Sequence, residues 1–283
     1  MINESSVSSI KSLFFERDQD SHKGHYGRIL IGAGSLGMCG AAVLAAKGAY
    51  RSGAGVVSVS IPMEFFPIIH CGVPEAVLVD REIPMTKIDE YHSMVLGPGI
   101  GQGESAKDFL KWVLDSYKNP LVLDADALNI AAGFEDYSKL KNYQGDIIIT
   151  PHPGEARRLL HIGLEEYNRM TREQVTGSLA QLIGCVVVLK GHKTLIYKDQ
   201  GLISMNTTGN PGMATGGTGD VLAGVIAALL GRGFKPYDAA RAGVYIHGLA
   251  GDIAAKQVGM TSMTAGDLIQ ALPAAFIEME RGK

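Results

Sequence analysis

The chain has 283 residues, 46 % of them hydrophobic and 19 % charged, with a net charge of −3. Such a length and composition fit one large α/β domain with a sizeable core and exclude a disordered chain. The slight acidity argues against a nucleic-acid partner, which would need a basic face.

In chain order, Met1–Ser12 is polar and has no apolar centre, so it does not read as a signal peptide. Arg28–Gly32 reads as a buried strand, 38–51 as an Ala-rich helix and Val56–Ile61 as the next strand. Short apolar runs follow at 76–79 and Ser93–Leu96, then an amphipathic helix over 104–117. Strand 120–124 leads to helix 127–132, and strand 146–150 to helices 154–161 and 171–183. A β-branched strand at 186–190 precedes runs at 194–197 and 202–205, which alternate around Lys198-Asp-Gln-Gly201 as a hairpin does. The remainder is helical over 221–230, 237–258 and 264–279. Near-continuous apolar strands alternating with helices predict a mostly parallel sheet covered on both faces, a three-layer α/β/α arrangement with an antiparallel edge hairpin. No linker or repeat divides the chain, so residues 1–283 read as one domain with an N-terminal extension over 1–20. Cys39, Cys71 and Cys185 are far apart and lie among apolar or small residues, which predicts buried thiols in a reducing compartment. No apolar stretch is a convincing membrane span. The expected location is the cytoplasm.

Gly32-Ala-Gly34-Ser-Leu-Gly37 has the G-x-G-x-x-G spacing between a strand and a helix, which suggests a dinucleotide fold. The ribose-binding acid due about 20 residues later is missing. The stretch 56–63 has none, and the first acid, Glu64, falls beyond Pro62. The alternative is a tight turn where the backbone passes close to a ligand or helix.

A second glycine cluster carries more chemistry. Asn210-Pro-Gly-Met-Ala-Thr-Gly-Gly-Thr-Gly-Asp220 runs directly into an apolar helix. Gly216, Gly217 and Gly219 permit unusual turns and close approach. The helix start offers unpaired N–H groups and a positive dipole end, together an anion hole for a phosphate in transfer. A carboxylate there, Asp220, would repel phosphate, so its placement suggests a base for the attacking hydroxyl. The plainer alternative is a Gly-rich turn with Asp at a helix start.

Further segments join this one: Lys23-Gly-His-Tyr-Gly-Arg28, Gly40-Ala-Ala-Val-Leu-Ala-Ala, Arg51-Ser-Gly-Ala-Gly-Val56, Gly97-Pro-Gly-Ile-Gly101, Leu123-Asp-Ala-Asp-Ala-Leu-Asn129, Thr150-Pro-His-Pro-Gly-Glu155 and Leu189-Lys-Gly-His-Lys-Thr194. In their order and combination they resemble the ADP/ATP-dependent NAD(P)H-hydrate dehydratases, a branch of the ribokinase-like superfamily. The resemblance runs from about Lys23 to the last helix. It implies a ribokinase-like fold and a repair lyase that returns the S-form of NADH or NADPH hydrate to the reduced cofactor. The C6 hydroxyl is phosphorylated from ADP or ATP and phosphate is eliminated, leaving AMP or ADP. The chain looks like the stand-alone dehydratase, without a fused epimerase. The implied partners are the hydrate, an adenine nucleotide and Mg²⁺; the implied assembly is a homotetramer.

The site residues follow from matching motifs. Asp220 would be the base, with the backbone of Gly217, Thr218 and Gly219 stabilising developing charge. Ala41 or Ala42, Gly101, His152 and Asp220 would contact the hydrate. Lys190, Gly191, His192, Lys193, Thr194 and Gly219 would bind the nucleotide. Glu155 would hold Mg²⁺ through water. Each has a plainer alternative: close packing for the alanines and Gly101, a local backbone cap for His152, a first-turn helix acid for Glu155, and a solvated turn for 190–194. Asp124, Asp126 and Asn129 could order metal, bind substrate or cap a helix, with capping favoured for Asp126. His247, on an apolar helix, reads as a satisfied core histidine. Two other functions compete: a hydroxyethylthiazole- or hydroxymethylpyrimidine-type kinase with the same anion hole, and a nucleotide sensor, against which an intact Asp220 argues.

Overall fold

The computed structural model describes residues 2–4, 7–13, 19–82, 85–198 and 201–280. Ten strands form one sheet: β1 (Ile2–Glu4), β2 (Arg28–Gly32), β3 (Val56–Ile61), β4 (Val77–Asp80), β5 (Ser93–Leu96), β6 (Leu121–Leu123), β7 (Ile147–Ile149), β8 (Val186–Leu189), β9 (Leu195–Lys198) and β10 (Leu202–Met205). Their order across the sheet is β1-β10-β9-β8-β7-β6-β5-β2-β3-β4. Every pairing is parallel except those of β9, which runs against both β8 and β10.

The helices are α1 (Val7–Lys11), α2 (Cys39–Arg51), α3 (Phe66–Gly72), α4 (Glu104–Ser116), α5 (Asp126–Ala131), α6 (Ser138–Lys141), α7 (Pro153–Leu159), α8 (Leu164–Arg169), α9 (Arg172–Ile183), α10 (Thr218–Gly231), α11 (Pro236–Val258) and α12 (Ala265–Glu280). Strand alternation divides their work. Ile29, Ile31, Val57 and Val59 face a core shared with α2, α10, α11 and α12. Leu30, Met94, Leu96, Leu121 and Leu123 face the opposite core, built with α4, α5 and α9. Helix α10 is apolar on all sides because it is wrapped by other elements, with Val221 to Leu230 buried throughout.

The expected three-layer architecture is therefore present, with three departures. Residues 2–4, expected in an extension, pair in parallel with β10 and close the sheet edge, and Ile10 is fully buried. Short helices α3, α6 and α8 occupy segments where no element was expected; each has four to seven residues, too few for a clear period. Cys71 is exposed on α3, against expectation; Cys39 is buried, and Cys185 is part-buried as a residue with burial pushing its thiol up. In the hairpin turn, Asp199 and Gln200 lie outside the described residues, as do Met1, Ser5, Ser6 and residues 14–18 of the N-terminal segment. Among the described residues, no helix is long and apolar enough to cross a membrane.

Candidate active site

Strands β5 to β8 are mutually parallel, so the segments following them emerge at one edge of the sheet, spaced about 4.8 Å apart strand by strand. Gly101 follows β5, Asp124 and Asp126 follow β6, His152 and Glu155 follow β7, and Lys190 follows β8. Helix α10 starts over the same edge: a Cβ built on Gly219 would sit 3.4 Å from Lys190 Nζ and 3.8 Å from Asp124 Oδ2.

The helix begins three residues before the expected 221, so Asp220 is inside its first turn and is not its cap. The N-cap is Gly217, at φ 89°, and no side chain caps the helix. Of the three glycines expected to take special conformations, only Gly217 has a positive φ; Gly219 instead provides closeness to Lys190. The Thr218 hydroxyl donates to the carbonyls of Met213 or Thr215 at 3.0 and 3.1 Å and so holds the loop. Val221 N–H is the first to bond back, to Gly217 O. The N–H groups of Thr218, Gly219 and Asp220 have no acceptor among the described residues, and they present a positive end of the helix.

A cation is buried below them. Lys190 Nζ bonds Asp124 Oδ1 at 2.6 Å and lies 4.0 Å from Glu155 Oε2. Burial alone would lower the lysine's pKa, but Asp124, Glu155 and Asp220 outweigh it and leave the ammonium above the ordinary value. Asp220 is pushed up to about 7, first by burial and then by the charge of Asp124, with Lys190 opposing. Glu155 is raised by burial, with Lys190 and the His152 N–H pulling the other way.

His152 forms a reciprocal cap at the start of α7. Its Nδ1 accepts from Gly154 N at 3.0 Å and Glu155 N at 3.4 Å, while Glu155 Oε2 accepts from His152 N at 2.8 Å. An Nδ1 that accepts is unprotonated, so the ring proton is on Nε2, 3.3 Å from Glu155 Oε1. Burial, then Lys190 and Arg158, lower the pKa of His152 and keep the ring neutral. The capping alternative is thus realised, and half of the side chain remains exposed beside the carboxylates.

A cavity of about 440 Å³ opens between Lys190–Thr194, residues 206–214, the start of α10 and the middle of α11. Its outer wall turns through Gly191 (φ 140°) and Lys193 (φ 54°). Arg172, at the start of α9, holds this wall by donating to the carbonyls of Leu189, His192 and Lys193. The loop is therefore braced rather than a free solvated turn. Leu222, Val244 and Met213 line the inner part with His247. His247 is a satisfied core histidine through Nε2, 2.8 Å from Thr218 O, yet it also lines the cavity.

Near the loop after β5, where a Cβ built on Gly99 would lie 3.1 Å from Ala41 Cβ, Ala41 keeps some accessible surface, whereas the side chain of Ala42 has none. Gly101 N donates to Asp126 Oδ2 at 2.9 Å, and Gln102 Nε2 to Oδ1 at 3.1 Å. This corrects the capping role expected of Asp126: it is the first residue of α5, where its carboxylate reaches across to the loop after β5. Asn129 accepts from Arg158 Nε at 2.9 Å. The Gly32–Gly37 turn is tied to the same loop by Gly34 N, which bonds Pro98 O at 2.8 Å.

Residues 29–274 match the family model described as NAD(P)H-hydrate dehydratase. The chain belongs to the NAD(P)H-hydrate dehydratase family. It is 37 % identical over 262 residues to an ADP-dependent (S)-NAD(P)H-hydrate dehydratase of Neisseria meningitidis, covering 92 % of this chain and 88 % of that protein. A bifunctional NAD(P)H-hydrate repair enzyme of Moorella thermoacetica is 39 % identical over 277 residues; this chain spans about half of its length, 52 %. The crystal structure of an ADP/ATP-dependent NAD(P)H-hydrate dehydratase from Bacillus subtilis, co-crystallised with ATP and Mg²⁺, superposes with a TM-score of 0.89 at 32 % identity, covering 99 % of each chain. The ribokinase-like fold class of the dehydratase family holds for this chain. Sequence reasoning left two of the features found in this dehydratase-family site unread. One is Arg172, which shows no motif. The other is the Asp124–Lys190 pair, which could have been suspected because both residues end apolar strands.

Proposed function

We propose that this protein dehydrates the S-form of NADH or NADPH hydrate, driven by ADP or ATP, and that Asp220 is its base. The observation that carries this reading is the Asp220 carboxylate, pushed up to about 7 first by burial and then by Asp124, in the first turn of a helix with unclaimed N–H groups and next to Thr218 and Gly219, which line a cavity of about 440 Å³. Asp220 takes the C6 hydroxyl proton as that oxygen attacks the terminal phosphorus. The bond from phosphorus to the nucleotide breaks, releasing AMP from ADP or ADP from ATP. The N–H groups of Thr218 and Gly219 take up the charge on the phosphoryl oxygens, with the Lys190 ammonium beneath. The ring nitrogen then expels phosphate, and loss of a C5 proton restores the dihydronicotinamide. The sum is hydrate plus ADP giving NAD(P)H, AMP, phosphate and a proton.

Residues 190–194 and Gly219 hold the nucleotide in this reading. Of the two alanines, Ala41 faces the hydrate, because Ala42 is fully buried. His152 donates through Nε2 or offers its exposed edge to the hydrate. Among the described residues, no group of three or more His, Cys, Asp or Glu forms a metal cage. Glu155, a buried carboxylate 4.0 Å from Lys190 Nζ, would hold Mg²⁺ through water. Mg²⁺ supplies neutralising charge to the phosphates. Single-domain organisation, a homotetramer and a cytoplasmic location belong to the same proposal.

The test is recovery of NADH absorbance from purified NADH hydrate with Mg²⁺ and ADP, ATP or no nucleotide. Nucleotide-dependent recovery with release of phosphate is expected. No recovery from folded protein that still binds AMP would overturn the dehydratase reading.

A further inference from the structure

Helix α11 places His247 against the first turn of α10, and the side chain is only 7 % exposed. Its Nε2 lies 2.8 Å from the Thr218 carbonyl, which can only accept, so Nε2 carries the proton. A second proton on Nδ1 would make the ring cationic, and burial first of all keeps it neutral by pulling its pKa down to about 4. Nδ1 is thereby a lone-pair acceptor. It has no partner among the described residues and is not among their fully enclosed, unpaired polar atoms, while the ring lines the cavity.

The neighbouring polar side chains of the inner wall are already engaged. Asn206 and Thr208 bond each other, and Thr208 also bonds the Tyr245 carbonyl at 2.8 Å. Asn210 donates to Asp252 at 2.9 Å and accepts from Gly212 N at 3.0 Å. Around His247 the wall is apolar, with Leu222 and Val244. An unmet acceptor in such a place gains most from a ligand donor, and rejects a ligand that offers it another acceptor.

We infer that His247 selects the nucleoside half of the nucleotide, by accepting through Nδ1 a hydrogen bond from a nucleoside donor. This rests on the reading that the cavity takes the nucleotide. Two groups of an adenine nucleotide have that chemistry: the exocyclic amine of the base and a ribose hydroxyl. The same ring holds Thr218 O, so nucleoside recognition and the phosphate cradle share one side chain. His247 is a specificity residue and touches no reacting atom.

The test is calorimetric binding of ADP, IDP, 2′-deoxy-ADP and 3′-deoxy-ADP to the full chain. IDP replaces the amine with an acceptor, and each deoxy compound lacks one hydroxyl. The expected result is that the wild type discriminates about tenfold or more against one of the three. His247→Phe should reduce that one ratio to below about threefold by weakening ADP while the analogue is little changed. His247→Gln, which can still donate to Thr218 O and offer an acceptor, should keep part of the discrimination. Wild-type binding of all four compounds within about twofold would overturn the inference without any variant. So would unchanged ratios in His247→Phe. If ADP itself does not bind, the nucleotide reading of the cavity falls as well, which separates the two failures.

Discussion

Lys190 Nζ lies 2.6 Å from Asp124 Oδ1, joining the ends of β8 and β6 across the intervening β7. The aspartate side chain is 1 % exposed and the lysine 20 %, so neither charge is well solvated. Removing one member of such a pair leaves the other buried without its main partner. Asp124→Asn is expected to destabilise the protein by about 2–4 kcal/mol in denaturant unfolding. It should also shift the acid limb of the rate profile to lower pH. Asp124 raises the pKa of Asp220 second only to burial, and its removal leaves the lowering by Lys190 opposed by burial and Asp126 alone. A variant as stable as the wild type, with an unmoved acid limb, would deny the pair both roles.

The position of Asp220 also sets a pH dependence of stability. Its folded pKa is about 7 against an ordinary value of 3.8. The folded state therefore holds this proton more tightly than the unfolded chain does. The resulting stabilisation is fully present below about pH 4 and is lost as pH rises through about 7. Asp220→Asn cannot ionise. It should match the wild type near pH 4 and exceed its stability by roughly 2–4 kcal/mol at pH 8. Turnover should fall by about 10²–10⁴-fold. In the wild type, activity should rise between pH 6 and 8 with an apparent pKa near 7, belonging to the coupled group of carboxylates and lysine. Thermal unfolding at both pH values and a rate profile check these outcomes. Near-normal turnover of folded Asp220→Asn would remove the base assignment.

Two glycines in the same loop should respond differently to alanine. Gly217 has φ 89°, and a Cβ there would lie 2.3 Å from Leu44 Cδ1. Gly217→Ala combines a left-handed alanine with an overfilled contact and should cost about 2–4 kcal/mol of stability. Gly219 has helical φ, and its nearest atom is Lys190 Nζ at 3.4 Å. Gly219→Ala should fold with less than about 1 kcal/mol lost, since alanine favours a helix. It should raise KM for the nucleotide several-fold, because in the proposed reading the methyl group lies where phosphate approaches. Unfolding curves and nucleotide KM values for the pair decide this. Equal stability losses would mean that the loop conformation does not depend on Gly217.

Much of the sheet was legible because its strands are short, apolar and bounded by Gly, Pro or Asp. Arg28–Gly32, Val56–Ile61, Ser93–Leu96 and Leu202–Met205 fall where the sequence places them. The start of α10 was misjudged because Thr218-Gly-Asp220 is neither apolar nor favourable to helix; the structure spends those residues there to aim N–H groups. β1 was hidden because its pairing with β10 joins residues about 200 apart in the chain, which no local pattern records. Asp126 illustrates a further limit. Asp before an apolar helical run is a standard cap pattern, but its choice of Gly101 N depends on how the β5 and β6 loops meet in space. The turn into α10 was readable in part from its glycines, of which Gly217 alone takes a positive φ, whereas the Lys190–Asp124 pair and the bracing by Arg172 required the strand order.

His152 caps α7 and is the proposed contact to the hydrate, two roles that one substitution can separate. Its Nδ1 caps α7 by accepting from Gly154 and Glu155, and its half-exposed ring is the proposed contact to the hydrate. Asparagine is among the best N-cap residues, and its side-chain oxygen can take the place of Nδ1. His152→Asn should therefore stay within about 0.5 kcal/mol of wild-type stability, whereas His152→Ala should lose about 1 kcal/mol. Both should lose kcat/KM for the hydrate about tenfold or more, since neither retains an imidazole Nε2 beside Glu155. Nucleotide binding by either variant should change less than about twofold, because residues 190–194 and α10 remain in place. Unfolding, hydrate kinetics and calorimetry with ADP together decide it. If His152→Asn keeps full activity on the hydrate, the histidine is a cap and the substrate contact belongs to another residue of this edge.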